Sequence, residues 1–209
     1  MNKKDFLLAI FTLFFFHSMS AQSIKGEYRL RGIPETASGF RFSADGRFDF
    51  FFIYGAVDRN ATGTYIVEGD TIKLQSEKEP GKDFPIISEQ KKGSNYTIKI
   101  SDPNVYLLRN VIAIYFKGGV QEVAYSDDDG IITINEKLVD TIYLRHELFP
   151  DIPSLIKDQN NENHYFEVGL SPSLGAVSFK GIDLAIEGKT LTCLPNYFMP
   201  FENITFVKE

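Results

Sequence analysis

The sequence is poor in the residues that build cross-links and metal centres: it contains one cysteine, Cys193, and three histidines. A single cysteine cannot form an internal disulfide. Its strand-like surroundings, Thr190–Leu194, favour a buried, inert thiol over one reserved for an intermolecular bond. Because His17 lies in a predicted leader, only His146 and His164 are left for the working protein. Zinc sites of three histidines or of several cysteines are therefore excluded.

The chain also lacks an excess of positive charge. It has 22 Lys and Arg against 28 Asp and Glu, a net charge of −6. Loss of a leader containing Lys3, Lys4 and Asp5 would make the net charge −7, because two positive charges and one negative charge are removed. The densest basic spot, Lys91-Lys92, adjoins Gly93 and is more typical of a solvated turn. Nucleic-acid binders use Lys and Arg to neutralise phosphates, so no nucleic-acid partner is expected.

Residues 1–21 have the pattern of a secretory signal peptide. Lys3 and Lys4 precede an uncharged apolar run, Phe6–Phe16, and small residues follow at Ser18–Ala21. The run is shorter than the roughly 20 residues that cross a bilayer, so no membrane span is expected after cleavage, and a retained anchor is the minor alternative.

Cleavage after Ala21 would leave Gln22 first, and the leader resembles those of secreted proteins from Bacteroidetes-type bacteria. A lipoprotein needs a cysteine at the cut site, whereas Cys193 lies far along the chain. The expected product is exported, periplasmic or extracellular, and not a lipoprotein.

Hydrophobic residues in the remainder recur with a period of two, and turn residues interrupt them every eight to twelve positions. That spacing is typical of β-sandwiches and β-barrels, and helical periodicity is nearly absent. Phe40–Phe42 and Arg47–Phe50 flank Asp45-Gly46, a pair that favours a tight hairpin. A chain of about 188 residues buries about 70% of its unfolded surface, so an all-β core needs neither metal nor disulfide.

The strand pattern pauses at Ser101–Asn104, where an Asp-Pro pair disfavours helix. We therefore predict two modules, residues 22–101 and 102–209. The second module contains the long segment Glu147–Asn163, with room for a short helix at Pro153–Lys157. Its predicted strands are Val111–Phe116, Val120–Tyr125, Ile131–Ile134, Thr141–Leu144, Tyr165–Leu170, Val177–Phe179, Ile182–Ile186, Thr190–Leu194 and Ile204–Val207.

The first module resembles lipocalin-like bacterial domains. The resemblance lies in Gly26-Glu27-Tyr28, Gly63–Val67 and Gly69–Leu74, and it covers roughly residues 24–100. It implies an antiparallel barrel or half-barrel.

The second module resembles the carboxypeptidase-regulatory-like, transthyretin-like sandwich. The matching segments are Ser126–Ile134, Asp140–Leu144 and Tyr165–Leu170. This resemblance implies an Ig/transthyretin-like β-sandwich, and neither family would contribute a catalytic residue.

Two near-matches to ligand motifs are better explained as turns. Gly188-Lys189-Thr190 imitates the end of a phosphate loop, but the required earlier glycine is Asp183 and no helix pattern follows. Tyr125–Glu136 imitates a calcium loop, but its first ligand position is Tyr125 and both flanks look like strands. Asp127–Gly130 is therefore interpreted as a solvated acidic turn.

No catalytic, cofactor-binding or metal-binding residue is assigned, and no cofactor is expected. Ser171-Pro172-Ser173 lacks the glycine spacing of a nucleophile elbow. His146 and His164 leave open a mixed histidine–carboxylate metal site and a triad assembled from distant residues, and both are disfavoured.

The segment Phe48–Tyr54 is apolar on both sides. Its even-numbered aromatic residues would share one face of a strand, and Phe51 and Ile53 the other. A central strand covered on both faces is the favoured explanation. The alternative is a barrel whose interior holds a hydrophobic ligand.

These features predict an exported, noncatalytic binding or assembly component of the bacterial cell envelope with an unknown protein partner. A carrier of a small apolar ligand is the first alternative, and a hydrolase with dispersed catalytic residues is the second. A hollow barrel would favour the carrier, and a histidine converging with a serine and an acid would favour the enzyme. A filled barrel with a broad exposed apolar patch would favour partner binding.

Overall fold

The computed structural model describes residues 24–209, and the predicted signal peptide at residues 1–21 lies outside them. The described chain is all-β, as predicted, apart from one 3-10 turn at Val105–Leu107. No helix in this part of the chain has the length and apolarity to cross a bilayer. The strands are β1 Gly26–Arg31, β2 Thr36–Phe42, β3 Arg47–Tyr54, β4 Val57–Glu68, β5 Thr71–Ser76, β6 Ile86–Gln90, β7 Tyr96–Ser101, β8 Val111–Lys117, β9 Val120–Tyr125, β10 Ile131–Ile134, β11 Thr141–His146, β12 Ser154–Lys157, β13 Tyr165–Gly169, β14 Asp183–Glu187, β15 Thr190–Cys193 and β16 Ile204–Lys208.

Eight of the strands close into a barrel in the order β1-β16-β15-β14-β5-β4-β3-β2. β1 closes the ring because it pairs antiparallel with both β2 and β16, with Tyr28 opposite Phe40 on one side and Lys208 on the other. Closure leaves none of these strands with a free edge. This is the barrel shape that the lipocalin-like resemblance implies.

Aromatic rings fill the interior of the barrel. Phe48, Phe50 and Phe52 are 1–3% exposed, which confirms their predicted shared face, whereas Tyr54 is 49% exposed. The Phe40 ring centroid lies 4.7 Å from that of Phe50. An eight-stranded barrel is just wide enough for side chains to fill. The aromatic rings of this packed cluster belong to Tyr28, Phe40, Phe42, Phe48, Phe50, Phe52, Phe179, Phe198 and Phe206.

Phe179 joins this cluster from the connection that precedes β14. Its ring centroid lies 4.9 Å from that of Phe50, and the residue is 1% exposed. Its φ of 52° turns the chain inward just before β14. The strand predicted at Val177–Phe179 is therefore wrong: this segment is a connection whose Val177 N–H donates to the Asn60 carbonyl at 2.8 Å.

The remaining strands form two four-stranded sheets, β10-β7-β13-β6 and β12-β11-β8-β9. Their inner faces share one hydrophobic core, so the two sheets form a β-sandwich, although not with the predicted bounds of residues 102–209. The core includes Ile98, Ile100, Ile132, Ile134 and Phe166 from the first sheet, and Val111, Ala113, Tyr115, Ile142, Leu144 and Ile156 from the second.

The sandwich is inserted between barrel strands β5 and β14. The predicted division between residues 101 and 102 groups β6 and β7 with the barrel. In the structure β7 pairs with β10 and β13, and β13 also pairs with β6. Alternating side chains identify strands but not distant partners such as β1 and β16, so the sequence pattern did not indicate an insertion.

The short helix for which Pro153–Lys157 offered room does not form, because this segment contains the edge strand β12. It pairs antiparallel with β11, with Ser154 opposite Leu144 and Leu155 opposite Tyr143. Pairing with an existing strand outweighs the local helix preference of so short a segment.

Candidate functional site

Four charged side chains are buried where the barrel meets the sandwich. Arg59 comes from β4, Lys78 and Asp83 from the connection between β5 and β6, and Asp151 from the loop between β11 and β12. The Lys78 Nζ lies 2.8 Å from Asp83 Oδ1 and 3.2 Å from Asp151 Oδ2. The Arg59 Nη2 lies 3.7 Å from Asp151 Oδ2. Two cations thus balance two anions in this junction cluster.

Hydrogen bonds complete the junction cluster. Arg59 donates to the carbonyls of Pro150 and Ala176, the latter at 2.9 Å. The Ser178 hydroxyl donates to Asp151 Oδ1, and the Ser178 N–H donates to Asp151 Oδ2 at 2.9 Å. Burial lowers the pKa of Arg59, although Asp151 opposes the shift, and burial raises the pKa of Asp83.

The junction cluster has a serine, a lysine and two carboxylates, but its geometry does not suit nucleophilic chemistry. The Lys78 Nζ is held by Asp83, by Asp151 and by the Ala176 carbonyl, and the Ser178 hydroxyl donates to Asp151 instead of to Lys78. Lys78, Asp151 and Ser178 are 7%, 3% and 6% exposed, so substrate has little access. The cluster instead joins residues of the barrel, both connections and the sandwich.

The two histidines occupy separate environments in the sandwich. His146 is buried, its Nε2 lies 3.1 Å from the Leu107 carbonyl, and its Nδ1 accepts the Leu148 N–H at 3.2 Å. His164 stacks on Tyr96 at 4.7 Å, and its buried Nδ1 has no hydrogen-bond partner. Neither ring has the acid-oriented nitrogen of a catalytic triad. Within the described residues no group of three or more His, Cys, Asp or Glu is placed to hold a metal ion.

Both near-matches to ligand motifs are turns, as predicted. Asp127 Oδ1 accepts the N–H groups of Asp129 and Ile131 at 3.0 and 2.8 Å. Gly188, with a φ of 63°, turns the chain between β14 and β15. Cys193 is half-buried, and burial raises its pKa to about 12, so its thiol stays protonated near neutral pH.

The feature best suited to binding is the outer face of the sheet β12-β11-β8-β9, which we call the apolar face. Strand alternation and the pairing registers place ten side chains on it, of which seven are apolar, two are neutral and polar, and one is cationic. None is a carboxylate. The ten residues are Ile112, Ile114, Phe116, Gln121, Val123, Tyr125, Thr141, Tyr143, Arg145 and Leu155.

One apolar row crosses all four strands of this face. Leu155 lies opposite Tyr143, Tyr143 opposite Ile114, and Ile114 opposite Val123. Leu155 and Val123 are 48% and 47% exposed. Phe116 adds an edge-to-face contact with Tyr143 at 6.2 Å. The row is thus a continuous apolar stripe whose two ends are exposed and whose middle residues, Tyr143 and Ile114, are partly exposed.

Arg145 is the single cation of the apolar face. It lies opposite Ile112, which in turn lies opposite Tyr125. Its Nε is buried and has no hydrogen-bond partner, and Arg145 forms none of the ion pairs found among residues 24–209. Apolar surroundings strengthen the attraction between a guanidinium and any carboxylate brought near it.

The outer face of the other sheet differs in kind. There Lys99 Nζ lies 2.9 Å from Glu167 Oε1, and the Ser101 hydroxyl donates to the same oxygen at 2.9 Å. The ring of Tyr165 is covered by Lys92 at 5.6 Å. The charged groups of this polar face pair with one another, whereas the Arg145 Nε on the apolar face has no hydrogen-bond partner within the described chain.

The local sequence pattern does not reveal the apolar face. One signal is present in Val111–Phe116, which is apolar at every position. Such a strand either is covered on both faces or leaves an apolar face open to solvent. Recognising which side stays open requires the pairing of β8 with β9 and β11.

No protein-family model matches the chain, and no curated protein matches it.

Proposed function

We propose that the protein is an exported, noncatalytic binding or assembly component of the bacterial cell envelope, and that it binds a partner protein on the apolar face. The observation that carries this proposal is the contrast between the two outer faces of the sandwich. An apolar surface rimmed by polar residues marks an interaction site more often than a region of ordinary solvent contact.

The filled barrel supports partner binding over the carrier alternative. Phe179 and Phe198 pack against each other at 5.7 Å within the cluster that fills the barrel. A surface pocket of about 690 Å³ lies among Arg31, Glu35, Tyr54, Phe201 and their neighbours, and none of the rings buried in the barrel lines it. An apolar ligand inside the barrel would have to displace packed side chains.

The dimensions of the apolar face suit a short segment. Four strands spaced about 4.8 Å apart make a surface about 14 Å wide between the outer strands. A single strand or helix of a partner fits this width.

The test is a selection of short random peptides displayed on phage against the purified protein. Binding peptides are then mapped by NMR shift changes on isotope-labelled protein. We expect the shifts to centre on Ile114 and Tyr143. Tyr143→Ala should weaken binding about tenfold, the loss typical of an aromatic anchor.

Tyr165→Ala is the matched control, because Tyr165 lies on the outer face of a central strand in the other sheet. It should leave peptide affinity unchanged. Shifts that centre on the polar face or on the barrel would contradict the proposal, as would equal losses in the two tyrosine variants.

A further inference from the structure

We infer that the segment bound by the apolar face carries a carboxylate that pairs with Arg145, flanked by apolar side chains. This inference rests on the proposed function and specifies the chemistry of the partner. The occupant is an acidic and apolar stretch of another protein.

The guanidinium of Arg145 lacks a partner for one of its donors among the described residues. Arg145 Nε is buried without a hydrogen-bond partner. A buried donor left unpaired is costly, and a carboxylate is the acceptor that the planar guanidinium fork matches best. None of the ten residues of the apolar face is a carboxylate, and Arg145 forms no ion pair among residues 24–209, so a bound segment is the proposed source of the carboxylate.

The register of the sheet fixes where the rest of the segment would lie. Arg145, Ile112 and Tyr125 form one row across three strands, and the stripe from Leu155 to Val123 is the neighbouring row. Rows on one face are two residues apart, about 6.8 Å along an antiparallel strand. If the carboxylate of a bound segment lies at Arg145, the neighbouring side chains of that segment can therefore reach Tyr143 and Ile114.

Charge complementarity argues against two apolar faces packed on each other, because each would offer Arg145 and neither would supply a carboxylate. An anionic membrane is also disfavoured, because the chain has a net charge of −6 and this face has a single cation.

The experiment compares peptides selected on the wild-type protein with those selected on Arg145→Glu, Arg145→Met and Arg41→Glu. Wild-type selection should enrich Asp or Glu beside aromatic or aliphatic residues. Arg145→Glu should enrich Lys or Arg instead, and Arg145→Met should keep the apolar preference and lose the acidic one. Arg41→Glu, on the barrel, should select the same peptides as wild type.

A selected peptide gives the quantitative test. Replacing its acidic residue by the corresponding amide should weaken binding to wild type about tenfold, as expected for a charge-assisted pair. The same replacement should change binding to Arg145→Met by less than about twofold, because the partner charge is absent. NMR spectra of each variant verify that it is folded.

The outcomes separate the two proposals. Peptides that map to the apolar face without acidic enrichment overturn this inference and leave the docking role intact. Peptides that map only elsewhere overturn the docking role. A concentration-dependent dimer that Tyr143→Ala abolishes, or binding to phosphatidylserine vesicles that Arg145→Met abolishes, would identify a different occupant and overturn the inference.

Discussion

At the scale of single residues, the two cations of the junction cluster neutralise its two buried carboxylates. Lys78 and Arg59 share the Asp151 carboxylate, and Lys78 also contacts Asp83. Taking such charges out of water costs free energy that their mutual attraction only offsets. Removing one partner leaves an uncompensated buried charge.

Arg59→Met tests this balance. We expect it to lower the free energy of unfolding by about 3–5 kcal/mol, because Asp151 loses one of its two cations. Urea denaturation measures the change. Arg41→Met, which breaks the exposed pair of Arg41 with Asp49, should have a much smaller effect. Equal effects would show that Arg59 is not electrostatically coupled to Asp151.

His146 provides a pH-dependent prediction. Burial lowers its pKa in the folded protein below the ordinary value of 6.5, against the opposing effect of the bond to Leu107. The unfolded chain then binds more protons in the window below pH 6.5. The contribution of His146 to stability is thus complete above that pH and is lost as the pH falls from 6.5 towards the folded pKa.

His146→Gln should flatten the fall in unfolding free energy below pH 6.5, measured by urea titration across that range. One ionising group changes stability by at most about 1.4 kcal/mol per pH unit. His164→Gln serves as the comparison. An unchanged slope in His146→Gln would mean that other groups produce the acid sensitivity.

At the scale of strands and turns, local chemistry predicted the Asp45-Gly46 hairpin but not the position of Phe179. Asp45-Gly46 indicated a hairpin, and Gly46 adopts a φ of 81° between β2 and β3. Phe179 was not foreseen, since nothing in its neighbours signals a bulky residue with a φ of 52°. Its conformation is imposed by the ring cluster it enters, which is a tertiary effect.

Phe179→Ala tests whether this side chain fills the barrel. Removing the ring should cost about 3–5 kcal/mol in unfolding free energy and leave an apolar cavity. Benzene should then raise the melting temperature of the variant but not of the wild type, because only the variant has space for it. Phe51→Ala, on the outer side of β3, is the control. A similar benzene effect on wild type would indicate a hollow barrel.

Gly63 marks a close approach between barrel strands. A Cβ there would lie 2.1 Å from the Gln75 carbonyl oxygen and 2.9 Å from the Phe48 ring. Gly63→Ala should therefore destabilise the protein by about 1–3 kcal/mol, measured by thermal denaturation. At Gly169 a Cβ would make only ordinary contacts, the nearest 3.5 Å from Ile87 Cδ1. An equal loss in Gly169→Ala would argue against steric conflict as the cause.

At the scale of the whole molecule, the first and last strands of residues 24–209 lie in the same barrel. The sequence predicted an all-β chain with a barrel but assigned β14, β15 and β16 to the sandwich, whereas they return to pair with β5 and β1. The apolar face escaped prediction for the same physical reason. Ile112 and Arg145 become neighbours only through the pairing of β8 with β11, which local periodicity does not encode.

Fragments distinguish an inserted sandwich from two consecutive modules. Residues 22–101 lack three barrel strands, so we expect this fragment to show no native-like dispersion in its NMR spectrum. Residues 78–178 contain both complete sheets of the sandwich and should fold. Folding of the first fragment and failure of the second would instead support the division between residues 101 and 102.

The side-by-side connections between barrel and sandwich have a mechanical consequence. The Ser76 hydroxyl of the outgoing chain donates to the Val177 carbonyl of the returning chain at 2.7 Å. Lys78 and Ser178 anchor the two connections to the same Asp151 carboxylate. Because two adjacent connections join the sandwich to the barrel, the sandwich rotates less freely than a domain on a single linker. A partner segment bound at Tyr143 would therefore keep a constant orientation relative to the barrel.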